Sequence, residues 1–144
     1  MTIVYPPSIR HSEAVKRSFV ATNGELAFYP SDAEVFIAAC EQAGLAVSRW
    51  EVWLANHELS FDLKPVFPVP SKGEWCALIP TLGTTTSLFG GDVTRADGEA
   101  WSDYAVRSAR EIRDQIASYE FESLVLAKYL EHIRLNFLGQ EDQT

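Results

Sequence analysis

From Glu99 onward the apolar residues recur at helical spacing. Trp101, Tyr104, Ala105, Ser108, Ile112, Ile116 and Tyr119 form one stripe. Outside it Asp103 with Arg107, Arg107 with Glu111, and Arg110 with Asp114 make i,i+4 pairs of opposite charge, which support a solvated helix face. The pattern predicts a helix over about 101–118. A second helical reading runs from Glu120 to Leu138, just before Gly139, with Phe121, Leu124, Val125, Leu126, Tyr129, Leu130, Ile133 and Phe137 spread over a wider arc. So wide an arc predicts burial on two sides, by the sheet and a neighbouring helix or by another chain.

The first half of the chain mixes two periods. Ser31-Asp32-Ala33-Glu34 has capping-box spacing, and Val35, Ala38, Ala39 and Gln42 follow at helical intervals up to Gly44. This predicts a helix over about 32–43 leading into a strand over about 45–54. In that strand Trp50, Val52 and Leu54 share a core face, while Arg49, Glu51 and Trp53 share the other. Upstream, Asn23-Gly24 separates two apolar stretches, a hairpin signal. Pairing Thr22 with Glu25 sets Phe19 opposite Phe28 and Ala21 opposite Leu26; a short helix over 12–20 competes with this reading. Pro65, Pro68 and Pro70 mark an edge strand or ordered loop, Trp75–Ile79 reads as a strand, and Thr81–Gly91 as a loop with a short strand inside it. Strands come early and long helices last. The expected fold is one α+β domain, a small, mostly antiparallel sheet packed against two long C-terminal helices and one shorter helix.

Composition narrows the function classes. The chain has 144 residues, 47% of them hydrophobic and 22% charged, and no run approaches the ~18 apolar residues of a membrane helix. Its start, Met-Thr-Ile-Val-Tyr-Pro-Pro, lacks a basic segment leading into an apolar stretch, which predicts a cytoplasmic protein. Cys40 and Cys76 form neither a disulfide framework nor a C-x-x-C pair. The net charge is −8, and seven acids (Glu25, Asp32, Glu34, Glu41, Glu51, Glu58, Asp62) against Arg49 place −6 between residues 25 and 62. Direct nucleic-acid binding needs the opposite sign, whereas a basic protein partner would be steered to this surface.

Catalytic signatures are missing. His11, His57 and His132 lie in no metal-spaced cluster, and His57-Glu58 beside Asp62 alternates faces if extended. The glycines at 83, 90 and 91 lack the Gly-Lys-Ser/Thr of a phosphate-binding loop. A surface remains: Trp53 set between charges on the second strand face suits an aromatic anchor covered when a partner binds, and Glu51, His57, Glu58 and Asp62 would surround it. A Trp53 packed beneath the Pro65–Pro70 segment is the competing reading.

The run Ala43-Gly44-Leu45-Ala46-Val47-Ser48-Arg49-Trp50-Glu51-Val52-Trp53, with Glu99-Ala100-Trp101-Ser102-Asp103-Tyr104-Ala105-Val106-Arg107-Ser108-Ala109-Arg110-Glu111-Ile112, resembles small immunity proteins of bacterial polymorphic-toxin and contact-dependent inhibition systems. The resemblance covers about a fifth of the chain and rests on scaffold patterns, and residues 56–91 match no family pattern. It implies an antidote, without cofactor or metal, that binds a cognate toxin domain of basic character, such as a nuclease, and occludes its active site. The alternatives are a small enzyme or ligand-binding protein with a cleft near Gly83–Gly91, and an obligate homo-oligomer joined through the wide C-terminal helix.

Overall fold

The computed structural model describes residues 4–20, 24–55, 65–67, 77–78, 85–119 and 131–142. The described elements run α1 (Glu13–Lys16), β1 (Phe19–Val20), β2 (Leu26–Phe28), α2 (Ala33–Gln42), β3 (Ala46–Ala55), β4 (Pro65–Phe67), β5 (Ala77–Leu78), β6 (Thr85–Asp92), α3 (Trp101–Ala117) and β7 (Ile133–Gln140). Five of these strands form an antiparallel sheet in the order β1-β2-β7-β3-β6, and β4 pairs with β5 in a separate two-stranded ribbon. The fold is α+β.

Helix α3 lies where its stripe predicts. Tyr104, Ala105, Ser108, Ala109 and Ile112 are buried, and Trp101, Ile116 and Tyr119 are partly buried against the same core. The small residues in the middle of the stripe let the helix approach β3 closely, and the Ser108 hydroxyl accepts a 3.0 Å hydrogen bond from the Val47 amide. Beneath the helix, Trp50 packs edge-on against Tyr119 and donates its indole N–H to Gln115 Oε1 at 2.7 Å. A second core region stacks Phe36 of α2 on Phe137 of β7, ring centroids 4.9 Å apart, with Phe28 of β2 at 5.5 Å from Phe36.

The helix expected over 120–138 is corrected at its C-terminal part. Residues 133–140 are the strand β7, inserted between β2 and β3, and 120–130 lie outside the described residues. Only one long helix, α3, is therefore present among the described residues, instead of two at the C-terminal end. The physical cause is burial on both faces. Ile133, Leu135 and Phe137 are buried in the core with α2 and α3, while Arg134 and Asn136 are buried on the opposite face. A strand covered on both sides loses the apolar-polar alternation that identifies it. Ile133 and Phe137, four apart, also satisfy the helical period as well as the strand period.

Two smaller expectations shift. The β1–β2 pairing has Phe19 opposite Ala27 and Val20 opposite Leu26, one residue away from the expected register. Gly24 sits at φ 88, the left-handed conformation that closes longer hairpin connections. As a result Phe19 and Phe28 face opposite sides of the sheet, because a one-residue slip exchanges the faces of a strand. The short helix and the strand compete for no residues, since α1 ends before β1 begins.

The capping box does not form. A 3-10 turn at Pro30–Asp32 precedes α2, and no side chain caps the helix. Glu34 instead bonds Arg113 of α3. The other end of α2 closes as expected: Gly44, at φ 73, donates to Glu41 O, and Leu45 donates to Cys40 O at 2.9 Å, a Schellman closure. The chain then enters β3.

The expected 81–91 loop is, over its described part, the strand β6, which pairs with β3 from Arg49↔Asp92 to Ala55↔Thr85 around one bulge. Glycine suits this strand for a steric reason. A Cβ on Gly90 would collide with the Trp50 carbonyl, and one on Gly91 would collide with Gln115 Oε1 and approach Trp50 Nε1 to 2.9 Å. Gly91→Ala should therefore push Gln115 off the Trp50 indole and destabilise the protein by about 1 to 3 kcal/mol, the usual cost of overpacking a filled core. Urea denaturation of the variant against the natural chain measures it.

Candidate functional site

The expected site lies on the face of β3 turned away from α3. Ser48 is an extra residue in the β3–β7 ladder, between Val47↔Gly139 and Arg49↔Leu138. Beyond that bulge Arg49, Glu51 and Trp53 share the outer face as anticipated. Phe19, Ala27, Asn136 and Glu51 line up across β1, β2, β7 and β3, and Arg134 stands opposite Trp53.

Trp53 is not the exposed aromatic that the site required. It is only 6% accessible, against 1% for Trp50, and it clusters with Phe19 and Ala27. Its indole N–H donates to Glu51 Oε2 at 3.2 Å. The buried position follows from the hairpin: the observed register carries Phe19 and Ala27 onto the outer face, where they give the indole an apolar neighbourhood. Of the five expected partner-binding residues, Glu51 and Trp53 are brought together; His57, Glu58 and Asp62 lie outside the described residues. Asn136, which sequence pattern alone does not single out, ties this face to β2 by donating from Nδ2 to Leu26 O at 2.9 Å.

Several acids of the 25–62 stretch are used internally. Asp32 accepts from Arg17 Nε at 2.6 Å, and Arg113 on α3 holds both Glu34 (2.6 Å) and Glu41 (2.5 Å), two turns apart on α2. These arginines lie 15 residues before Asp32 and more than 70 residues after the two glutamates. The local field is thus weaker than the run of acids suggests, although the chain's net charge is unchanged. A further cluster braces the start of α3. Arg107 bonds Glu99 through Nε and Nη2, both at 2.8 Å, and also holds Glu111 and the Thr94 carbonyl. The Arg107 guanidinium and then the Ala96 amide lower the Glu99 carboxyl to about 2.

A cleft of about 390 Å³ opens where β3 and β6 meet the start of α3, lined by Ser48, Arg49, Asp92, Arg95, Trp101 and Tyr104 among others. The Arg95 guanidinium stands over the Trp101 ring, 5.3 Å from its centroid, and donates from Nε to Glu99 O. Trp101 in turn meets Tyr104 edge-on at 5.4 Å and donates its indole N–H to Gly44 O at 3.0 Å. Arg49 pairs with Asp92 at 3.1 Å on the rim. An aromatic floor beside two guanidinium groups suits recognition of a planar or anionic group by stacking and charge. The sequence placed Trp101 in the helix stripe and gave no signal that Arg95 covers it, since the contact depends on the turn between them.

Among the described residues no group of three His, Cys, Asp or Glu is arranged to hold a metal ion, and no helix is long and apolar enough to cross a membrane. Cys40 is buried in the α2 core, and desolvation pushes its thiol up to about 12, so it stays protonated near neutral pH. Cys76 lies outside the described residues. Comparison of the chain with protein-family models, curated proteins and solved structures finds no match.

Burial makes Trp53 a structural residue alongside Trp50. Trp50→Ala and Trp53→Ala should each lower stability by about 3 to 5 kcal/mol in denaturant titration; a Trp53→Ala loss below about 1 kcal/mol would return that side chain to the role of surface anchor. The Glu99 cluster sets an acid response. Its folded pKa lies below the unfolded value, so its contribution is complete above about pH 5 and fades as pH falls toward 2. Glu99→Gln should flatten the stability profile across that window while leaving its shape above pH 6 unchanged, as followed by thermal melts at stepped pH.

Proposed function

We propose that the protein is an immunity protein: a stoichiometric inhibitor that binds a cognate bacterial toxin domain of basic character and occludes its active site, without catalysis or cofactor. The observation that carries this reading is the acidic excess, −8 over the chain, which favours encounter with a basic partner. Two packing contacts support it. The stretches that resemble immunity proteins sit against one another, Trp101 bonding Gly44 O and Ser108 bonding the Val47 amide, and so form one scaffold unit. Beside that unit, Arg113 joins α3 to α2 through Glu34 and Glu41.

The cleft beside Asp92 favours a second reading, a ligand-binding protein, because its aromatic floor and paired guanidinium groups offer more than a flat docking face. It lies at the Asp92 end of strand β6.

The test starts from the neighbouring genes: the variable C-terminal domain of a long secreted protein encoded immediately upstream would be the toxin to use. Co-expression should restore growth to cells carrying that toxin, and the purified proteins should form a 1:1 complex. Replacing Glu51, Glu58 and Asp62 together by Gln, Gln and Asn should slow association about tenfold or more at low salt and flatten its salt dependence, with little change in dissociation. An absence of complex formation overturns the inhibitor reading. An unchanged association rate removes the acidic segment from it.

A further inference from the structure

The cleft at the Asp92 end of β6 is open to solvent and, at about 390 Å³, lies within the usual range of small-molecule sites. Its lining carries three charged side chains, Arg49, Arg95 and Asp92. Two guanidinium groups against one carboxylate leave the lining at +1, in a chain whose net charge is −8. The sign of the cleft is opposite to that of the protein. Among the described residues Arg49 is held only by its ion pair with Asp92, Nε to Oδ1 at 3.1 Å, and both side chains are more than half exposed. A pair of that exposure contributes about 0 to 1 kcal/mol, so a second anion can share the guanidinium at little cost.

The aromatic side of the cleft offers ring surface and no donors. Trp101 gives its indole N–H to Gly44 O at 3.0 Å, and Tyr104 gives its hydroxyl to Val93 O at 2.6 Å. Trp101 is partly buried, and the Arg95 guanidinium lies over its ring, 5.3 Å from the centroid, tethered through Nε to Glu99 O at 2.9 Å. A guanidinium layered on an indole makes a flat wall, and planar π-systems stack on either group.

We propose that this cleft binds a small aromatic carboxylate, with its acid group on Arg49 and its ring against the Arg95–Trp101 layer. This assignment rests on the ligand-binding reading of the cleft and narrows it to one chemical class. A monoanion matches the +1 lining, whereas a phosphate monoester, at about −2 near neutral pH, brings more charge than the lining offsets. A cation would face two guanidinium groups with Asp92 alone to favour it. The exposed Arg49 stands at the mouth, and the more buried Trp101 and Tyr104 form the floor. The acid group therefore stays close to water while the ring goes inward, the arrangement that spares the desolvation of a charge.

The test is an NMR titration of the full-length protein with benzoate, benzamide and cyclohexanecarboxylate, read at the Trp101 indole N–H and at the Arg49 and Arg95 Nε–H resonances. Benzoate should shift all of these to saturation and bind at least about fivefold more tightly than either control, because benzamide lacks the charge and cyclohexanecarboxylate lacks the plane. Arg49→Gln, at an exposed position, should weaken benzoate by about fivefold or more and leave benzamide unchanged. Asp92→Asn should tighten benzoate by removing the carboxylate that competes for Arg49. Binding of either control as tight as that of benzoate, or an unchanged benzoate affinity in Arg49→Gln, overturns the assigned class and leaves a ligand-binding cleft standing. An absence of saturable shifts with all three probes overturns the assignment together with the ligand-binding reading.

Discussion

The ladder between β3 and β7 runs from Ala46↔Gln140 to Leu54↔Ile133 and is the interaction on which the other elements depend. It joins residues 79 to 94 positions apart and sets both faces at once. One face receives Trp50, Val52, Leu135 and Phe137 under α2 and α3. The other receives Trp53, Arg134 and Asn136, all buried. Because β7 also pairs with β2, it brings the N-terminal hairpin into the sheet and with it the apolar contacts that cover Trp53. Such a pairing between distant segments closes a long loop before its contacts form, so its entropy cost must be met by the burial on both sides.

Charge performs a different task from the one its distribution along the chain suggests. Arg17, Arg107 and Arg113 each reach a carboxylate on another element or turn, and together they fasten the start of α2, the flank of α2 and α3, and the turn before α3. Arg113, shared between Glu34 and Glu41, gives geometric specificity that an isolated exposed pair would lack. The clamps leave the chain's net charge at −8.

The two aromatic surfaces differ in what surrounds them. Trp101 lies in an open cleft with a guanidinium over its ring, and Trp53 lies in a closed layer whose polar groups are held by neighbours. The first arrangement suits a bound group from outside. The second suits structure, except at Arg134, where one N–H is left without an acceptor.

Local order was legible in the sequence wherever one short segment decided it. The stripe from Trp101 to Tyr119 yielded α3, Gly44 yielded the end of α2, and alternation around Trp50 yielded β3 with its faces, since each depends on a period or a backbone conformation intrinsic to a few residues. Tertiary structure alone decided the rest. Residues 133–138 satisfy both periods, and only insertion between β2 and β3 makes them a strand. The exposure of Trp53 followed from a one-residue register that Asn23-Gly24 does not fix, and the partners of Asp32, Glu34 and Glu41 lie on other elements. The candidate site was therefore legible in the face on which Glu51 and Trp53 stand, but not in its burial, because a side chain's accessibility is set by what other segments lay over it.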